Sequence, residues 1–204
     1  MNLTYLFINL GSVLLPFLFS FEKRIAYYKN WKYLFPAFFI TAFLYLVWDH
    51  LFTIWGVWGF TIDYRTGLEF FKLPVEEILF FFTIPYASLF IYEALNYYSP
   101  KNTFFNGIQL QLSVFSFMVI LLVGVIFHDR TYTAVNCAFA VAILFLQVAF
   151  IRGAYMGRFW RFYFVHLLPF FVVNGILTGT GISGEVVWYN NAENMGVRLL
   201  TIPV

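Results

Sequence analysis

The chain has 204 residues, of which 62% are hydrophobic and only 11% are charged, and its formal net charge is +2. A soluble domain carries roughly 25% charged residues, so the composition excludes a water-soluble fold and predicts an integral membrane protein. The small net charge gives no indication of nucleic-acid binding. A lone cysteine, Cys137, excludes a disulfide framework, and the three histidines lack the mutual spacing of metal ligands. No phosphate-binding or dinucleotide-binding motif is present, so we expect neither a metal nor a cofactor.

Six segments are long and apolar enough, or nearly so, to cross a membrane as helices. In chain order these predicted spans are residues 3–21, 33–52, 78–98, 108–127, 132–151 and 162–177. The apolar runs are continuous rather than alternating, which indicates helices and not a barrel. The first segment lacks the positive n-region of a signal peptide, so we interpret it as the first span. The predicted fold is an all-α, polytopic transmembrane helix bundle.

Basic residues are distributed unevenly between the two sides of this predicted bundle. The connections after spans one, three and five carry most of the 12 Lys and Arg side chains, namely Lys23, Arg24, Lys29, Lys32, Lys101, Arg152, Arg158 and Arg161. The positive-inside rule then places these connections in the cytoplasm and the N-terminus outside. Most acidic residues lie in the opposite connections.

Two loops have similar sequences. VWGFTIDYRTGLEFFKLPV occupies residues 57–75 and VWYNNAENMGVRLLTIPV occupies residues 187–204; an alignment on the Val-Trp pairs needs one gap before the glycine. Because these loops follow spans two and six, they lie on the same membrane face, which predicts two parallel repeats. The expected organisation is a first repeat (1–100, spans one to three), a linking span (101–130) and a second repeat (131–204). The second copy stops before a carboxylate pair and a closing helix, so a seventh span is expected in a complete chain.

The sequence FKLPVEEILFFFTIPY, residues 71–86, places two glutamates at the start of an apolar helix. Proline is favoured at a first helical turn, and carboxylates there interact well with unpaired N–H groups, so a good helix start is one explanation. The other is function, because ionisable groups next to hydrocarbon are costly. If Phe80, Phe81 and Phe82 exclude water, a protonated glutamic acid could donate a proton to a weak base. Since neighbouring helical residues point about 100° apart, one glutamate could face a pocket while the other supports it.

The patterns WD…GVWGF…TG…LPVEEILFFFTIPY (48–86) and NGILTG…VVWYNNAENMGVRLLTIPV (174–204) resemble the small membrane carotenoid cyclases, the lycopene cyclases that carry a P-x-E-(E/D) motif in each half. The resemblance implies an isomerisation in which an acid protonates the terminal C1=C2 bond of a linear C40 carotenoid. The C5=C6 bond then attacks the cation, and loss of a proton gives a β, ε or γ ring. It also implies that Glu76 and Glu77 are the acid/base pair. The residues that it suggests for substrate binding are Asp49, Trp58, Pro74, Phe80, Asn174, Trp188, Asn190, Glu193, Arg198 and Pro203.

The expected partners are a carotenoid substrate and membrane lipid, with a homo- or hetero-oligomer as the assembly and the bacterial inner (plasma) membrane as the location. Two other functions remain open at this point. A proton-coupled carrier would need a wetted path to both membrane faces, with charges near mid-bilayer. A non-catalytic half would need a partner chain for activity. The cyclase hypothesis instead predicts an apolar tunnel with Glu76 or Glu77 at its end.

Overall fold

The structure is a computed structural model, and it describes residues 3–101, 103–150 and 154–203. Its described part consists of six α-helices, connected by short loops and three two-stranded antiparallel ribbons. The helices are α1 (Thr4–Phe19), α2 (Trp31–Ile54), α3 (Val75–Tyr98), α4 (Thr103–Ile126), α5 (Thr131–Phe150) and α6 (Ala154–Leu177). Helices α2 to α6 are long and apolar enough to cross a membrane, and α1 is a shorter apolar helix. The predicted all-α polytopic bundle is confirmed.

The sixth helix differs most from its predicted bounds, because α6 begins at Ala154 and not near residue 162. Its extra turns contain Arg161, which hydropathy alone places in a loop. The Arg161 guanidinium donates to the Ser99 carbonyl oxygen and to Asn96 Oδ1 (2.8 Å for the latter), both at the end of α3. These partners bind both terminal nitrogens of the guanidinium and so help to accommodate the charge within the helix. The predicted end of span five at residue 151, and Arg152, lie outside the described residues.

The helix surfaces are apolar where they face outward. Phe7, Phe43 and Leu168, on three different helices, expose 65%, 68% and 75% of their area. Soluble monomers rarely expose apolar patches of this extent. This surface fits a bilayer and makes the protein an integral membrane protein.

Six short strands form the ribbons at one end of the bundle. They are β1 (Trp58–Phe60), β2 (Glu69–Phe70), β3 (Leu73–Pro74), β4 (Val187–Tyr189), β5 (Arg198–Leu199) and β6 (Ile202–Pro203). Strands β2 and β3 form one hairpin, and β5 and β6 form another with the same register. Strand β1 pairs with β4, so the loops that follow α2 and α6 meet at the same end of the bundle. Parallel repeats require this arrangement.

The backbone corrects the sequence alignment of the two repeats by one residue. The Thr61 N–H donates to the Val186 carbonyl, and the Asn190 N–H donates to the Val57 carbonyl, each at 2.9 Å. These two bonds are equivalent under a pseudo-twofold axis if Val57 corresponds to Val186. The same difference in residue number then relates the two hairpins, so the alignment of the two loops needs no gap. The matching tryptophans misled the alignment, because Trp188 corresponds in space to Gly59. A Cβ on Gly59 would lie only 2.3 Å from the Trp188 ring, so glycine is required beneath that indole.

The same symmetry extends into the helices. Helix α1 starts with Thr4-Tyr5 and has Asn9 one turn later, whereas α5 starts with Thr131-Tyr132 and has Asn136 one turn later. Each asparagine donates its amide to the carbonyl of its tyrosine, at 3.1 Å and 2.7 Å. Helices α1 and α5 are therefore equivalent first helices of the two repeats.

The ends of α2 and α6 are equivalent in the same way. The Val57 N–H donates to the Phe52 carbonyl (3.0 Å), and the Val186 N–H donates to the Leu177 carbonyl (2.8 Å). Phe52 thus corresponds to Leu177. One helical turn earlier, Asp49 corresponds to Asn174.

The repeats meet along a buried seam. Helix α1 packs on α3, and α4 packs on α5 and α6, while α3 also contacts α6 across the seam. A hydrophobic cluster at the ribbon end contains residues from both halves, namely Tyr5, Tyr64, Leu177, Val186 and Val187. The seam at this end is where a site shared by both repeats can form.

Candidate active site

A cavity of about 170 Å³ lies beneath the β1–β4 ribbon, between the two repeats. Helices α1, α2, α3, α5 and α6 and both strands of the ribbon contribute to its wall. The lining residues are Tyr5, Tyr45, Trp48, Asp49, Trp58, Phe60, Glu77, Phe80, Phe81, Asn136, Asn174, Leu177, Val187 and Tyr189. The wall is aromatic and apolar apart from two carboxyls, two amides and a few hydroxyl and indole groups. Such a composition suits an apolar ligand with a small number of placed polar contacts.

Two carboxyl groups face each other in this cavity. Asp49 comes from the C-terminal part of α2 and is 2% exposed, and Glu77 comes from the first turn of α3 and is 9% exposed. Both carboxyls line the cavity, and they are close enough to interact electrostatically. Two buried carboxylates at this separation repel each other unless one of them holds a proton. The arrangement is therefore suited to an acid pair in which one carboxyl keeps its proton.

One oxygen of each carboxyl has a defined hydrogen-bond donor. Trp58 Nε1 donates to Asp49 Oδ1 at 2.6 Å, and the Tyr5 hydroxyl donates to Glu77 Oε2. Asp49 Oδ2 has no other donor among the described residues. The indole of Trp58 and the phenol of Tyr5 therefore each hold one of the two carboxyls in place.

Aromatic rings surround the acid pair. The Trp58 ring lies 4.8 Å from Phe52, 6.0 Å from Tyr132 and 5.9 Å from Tyr189, measured between ring centroids. Burial, followed by the neighbouring Tyr132, Glu77 and Asp49, raises the pKa of the Tyr189 hydroxyl well above its usual value near 10. Tyr189 therefore stays neutral. Neutral aromatic faces attract cations through the ring quadrupole, by about 0.5–2 kcal/mol each.

The opposite side of the cavity, from the second repeat, presents amides and no carboxyl. Asn174 Nδ2 donates to the Phe170 carbonyl at 3.1 Å, and Asn136 Nδ2 donates to the Tyr132 carbonyl at 2.7 Å. In the described part of the chain, neither amide oxygen has a donor. Because both side chains line the cavity, a neutral, electron-rich oxygen is the group that each can offer there.

Glu76 is fully buried but does not line the cavity. Its Oε1 accepts a hydrogen bond from the Thr66 N–H at 2.6 Å, and its carbonyl accepts one from Asn9 Nδ2 at 3.1 Å. Asn9 Oδ1 also accepts a hydrogen bond from Thr83. Glu76 thus connects the loop before β2 to α1 and α3, and the two adjacent glutamates face different surroundings.

The other sequence-predicted residues divide into two groups. Asp49, Trp58, Phe80 and Asn174 line the cavity together with Glu77. Six do not line it, namely Pro74, Trp188, Asn190, Glu193, Arg198 and Pro203.

These six residues shape the loops around the ribbon. Pro74 was expected at the first helical position, but it is the extended N-cap of α3, and the helix begins at Val75. Glu193 caps the N-terminus of α5 from the second loop. Its carbonyl accepts a hydrogen bond from the Tyr132 N–H (2.9 Å), and its Oε2 accepts one from the Thr131 N–H (3.2 Å).

The others act within the second loop. Asn190 Oδ1 accepts from the Ala192 N–H at 3.0 Å. Arg198 donates to the Thr201 carbonyl at 2.7 Å and to Asn191 Oδ1 at 3.0 Å. Trp188 covers Gly59, and Pro203 pairs with Arg198 in the second hairpin.

Sequence reasoning did not select several of the lining residues, namely Tyr5, Tyr45, Trp48, Phe60, Asn136, Leu177, Val187 and Tyr189. Asn136 carries a usable signal, because a polar side chain inside an apolar span is functional by default. The shared Thr-Tyr and Asn positions of α1 and α5 would have identified Tyr5 as well. The remaining apolar and aromatic residues have no signal that separates them from the many that face lipid.

A sequence model of the family described as lycopene cyclase matches residues 2–95 and 129–204. The two matched segments cover most of the two expected repeats, and the whole of α4 lies between the segments. A search of curated proteins and a search of solved structures each found no match. Because the two matched segments span well over half of the chain, this protein belongs to the lycopene cyclase family.

Proposed function

We propose that this protein is an isomerase, of the intramolecular lyase type, which closes an ionone ring at the end of a linear C40 carotenoid. Membership of the lycopene cyclase family gives it a cyclase role in carotenoid biosynthesis. The single observation that carries the finer proposal is that the carboxyls of Asp49 and Glu77 line one cavity among aromatic rings. A carboxylic acid in an apolar cavity is suited to protonating a hydrocarbon.

In the proposed reaction, the shared proton of the pair adds to C2 of the terminal C1=C2 bond and leaves a tertiary cation at C1. The electrons of C5=C6 then form the C1–C6 bond, which moves the cation to C5. Loss of a proton from C6, C4 or the C5 methyl gives a β, ε or γ ring, respectively. The proton returns to the carboxylate pair, so no atom is gained or lost.

The cation needs electrostatic support while it migrates. Trp58, Phe60 and Tyr189 present ring faces on the ribbon side of the cavity. The amide oxygens of Asn136 and Asn174 supply partial negative charge from the second repeat. Amides do this without burying a further charged group in the cavity. We propose that these five side chains stabilise the cation, and that Tyr5 and Trp58 hold the acid pair in position.

Glu76 stays a predicted acid/base residue, but its contacts favour a positioning role. Its side chain accepts a hydrogen bond from the Thr66 N–H and so ties the loop before β2 to the first turn of α3, which also contains Glu77. We propose that Glu76 fixes the start of α3 and that Glu77 does the chemistry with Asp49.

We propose further that residues 1–100 and 131–204 are the two cyclase repeats, with 101–130 as the linking span. The proposed location is the bacterial inner membrane, where lipid surrounds the exposed apolar surface, and a homo- or hetero-oligomer is the proposed assembly. The described carboxylates of the cavity lie at one end of the bundle, which favours an enzyme over a proton-coupled carrier.

The test is pigment analysis in a lycopene-producing bacterial host. We expect a cyclic carotenoid when the chain is expressed, and its chromatographic identity names the ring. In isolated membranes with D₂O buffer, the product should gain one deuterium per ring, because the acid exchanges its proton with solvent between turnovers. A second arm co-expresses a companion cyclase chain, and activity only in that arm would favour a half that needs a partner. Persistence of lycopene in both arms, with the protein present in the membrane, would overturn the proposal.

A further inference from the structure

A second recess opens between α2 and α3, directly beside the acid cavity. Its volume is about 480 Å³, and its wall is almost entirely apolar. The lining residues are Ala37, Phe38, Thr41, Ala42, Tyr45, Phe80, Phe81, Ile84, Pro85 and Leu89. We call this recess the α2–α3 groove.

Small residues on α2 create the groove. Ala37, Thr41 and Ala42 lie on neighbouring turns and leave room where larger side chains would fill the gap. Thr41 presents no free hydroxyl, because its Oγ1 donates to the Ala37 carbonyl at 2.9 Å and lies 3.2 Å from the Phe38 carbonyl. The groove therefore suits a ligand that has no polar groups.

The groove and the acid cavity share a wall. Tyr45, Phe80 and Phe81 line both, and the Tyr45 and Phe81 rings stack with centroids 6.0 Å apart. Side-chain rings at such a boundary can change rotamer and open a passage between the two compartments, whereas a wall of backbone could not. The acid pair lies on one side of these three side chains and the apolar groove on the other.

The size of the acid cavity makes a second compartment necessary. A dry apolar cavity of about 150 Å³ holds a benzene-sized ligand, so about 170 Å³ accommodates the ring-forming end of a carotenoid and little more. The rest of a C40 chain has to leave the cavity. A different recess, of about 110 Å³ beside Asn174, is smaller and contains Ser12, Ser88 and His166, which makes it a poorer match for a hydrocarbon.

We propose that the α2–α3 groove binds the polyene stem of the substrate, which passes between Tyr45, Phe80 and Phe81 so that its end reaches Asp49 and Glu77. This inference rests on the proposed function and deepens it. It replaces the expected closed tunnel with a groove in the side of the bundle, through which a carotenoid dissolved in the bilayer enters from the lipid. The occupant is a linear apolar chain, since the groove wall is almost entirely apolar.

The test fills the groove and leaves the acid cavity unchanged. Ala42→Phe places a ring in its centre, and Ala37→Phe does the same at an exposed position that tolerates a larger side chain. Ala142→Phe is the matched control, because Ala142 is exposed on α5 and does not line the groove. Binding of lycopene is measured in vesicles by quenching of tryptophan fluorescence, in a Glu77→Gln background that prevents turnover.

We expect Ala42→Phe and Ala37→Phe to weaken lycopene binding at least tenfold, and Ala142→Phe to change it less than twofold. In the active background, the same two variants should slow cyclisation of lycopene by a similar factor. If binding is unchanged in Ala37→Phe, in protein that is folded and inserted, the groove is not the polyene site. If lycopene binds and the groove variants weaken it but no variant or parent ever cyclises it, the proposed function fails and the binding inference stands.

Discussion

The two repeats share their ribbon and hairpin registers but differ in polar groups, and this difference supports the proposed placement of the acid. Each repeat contributes a helix that starts with Thr-Tyr, a ribbon strand and a hairpin of identical register. At equivalent positions over the cavity, however, the first repeat has Asp49 and the second has Asn174. The paired ribbons cover a cavity between the halves, and the two carboxyls that line it both come from the first repeat.

The loops show the same contrast. In the first repeat, Arg65 is 8% exposed and forms an ion pair with Glu69. In the second, the equivalent positions are Asn194 and Arg198; Asn194 Oδ1 accepts from the Gly196 N–H at 2.7 Å, and Arg198 binds loop oxygens. Gly67 and the equivalent Gly196 both have positive φ, +86° and +72°. The backbone path is retained by glycine, while the surrounding charges have diverged.

The largest effect is expected from Glu77→Gln, which removes the proton donor and keeps the shape of the side chain. General acid catalysis contributes roughly 10²–10⁴-fold, so cyclisation should fall by at least about 100-fold at equal protein level. Glu93→Gln is the matched control, since Glu93 is on the same helix and does not line the cavity. Pigment analysis of both variants in the lycopene-producing host measures the effect. Equal activity in Glu77→Gln and the parent would contradict the acid assignment.

A smaller effect is expected from the paired tyrosines. Tyr5→Phe removes the hydroxyl that donates to Glu77, and a hydrogen bond to a charged or proton-sharing group contributes about 1.5–3 kcal/mol. We expect a drop in turnover of about tenfold or more. Tyr132→Phe, at the equivalent position of the second repeat, should change turnover less than twofold. Equal effects of the two substitutions would show that the halves are functionally alike.

Two substitutions of Glu76 distinguish a positioning role from an acid/base role. Glu76→Gln can still accept the Thr66 N–H, so turnover should fall only a few-fold. Glu76→Ala leaves that partly buried N–H without its partner, which costs about 1–3 kcal/mol, and should lower the thermal midpoint in detergent. Loss of activity in Glu76→Gln as complete as in Glu77→Gln, with unchanged stability, would return Glu76 to the acid/base role.

The packing of Trp188 on Gly59 in the ribbon between the repeats is tested by measuring the stability of the protein. Gly59→Ala brings a Cβ against the Trp188 ring, and overpacking of this kind costs about 1–3 kcal/mol. Trp188→Ala in the same chain should recover most of the loss, since it removes the clashing ring. A double variant that is no more stable than Gly59→Ala would mean that the two positions are not coupled.

Much of the fold follows from local signals in the sequence. Continuous apolar runs define the helices, and the similar loops after spans two and six predict that the repeats meet on one face. The register between repeats needed the structure, because a chance match of Trp58 with Trp188 outweighed a gap-free alignment. Hydropathy did not predict the start of α6, because the contacts that accommodate Arg161 come from the end of α3, far away in sequence.

The site was predictable only in part, for a similar reason. The sequence indicates that Glu76 and Glu77 point in different directions, but it does not show which of them meets Asp49. That pairing depends on how the end of α2 packs against the start of α3. The amides opposite the acid pair come from the second repeat, so their role depends on the same long-range packing.

The most direct test of the account exchanges the polar groups across the pseudo-twofold axis. Asp49→Asn gives both repeats an amide and should reduce cyclisation on the order of 100-fold, whereas Asn174→Asp should leave the acid pair and most activity in place. The double exchange should remain inactive, because Glu77, Tyr5 and Trp58 stay on the first side. Carotenoid products of the three variants, measured at equal protein level, decide the matter. Recovery of activity in the double variant would contradict the claim that the acid depends on the first repeat alone.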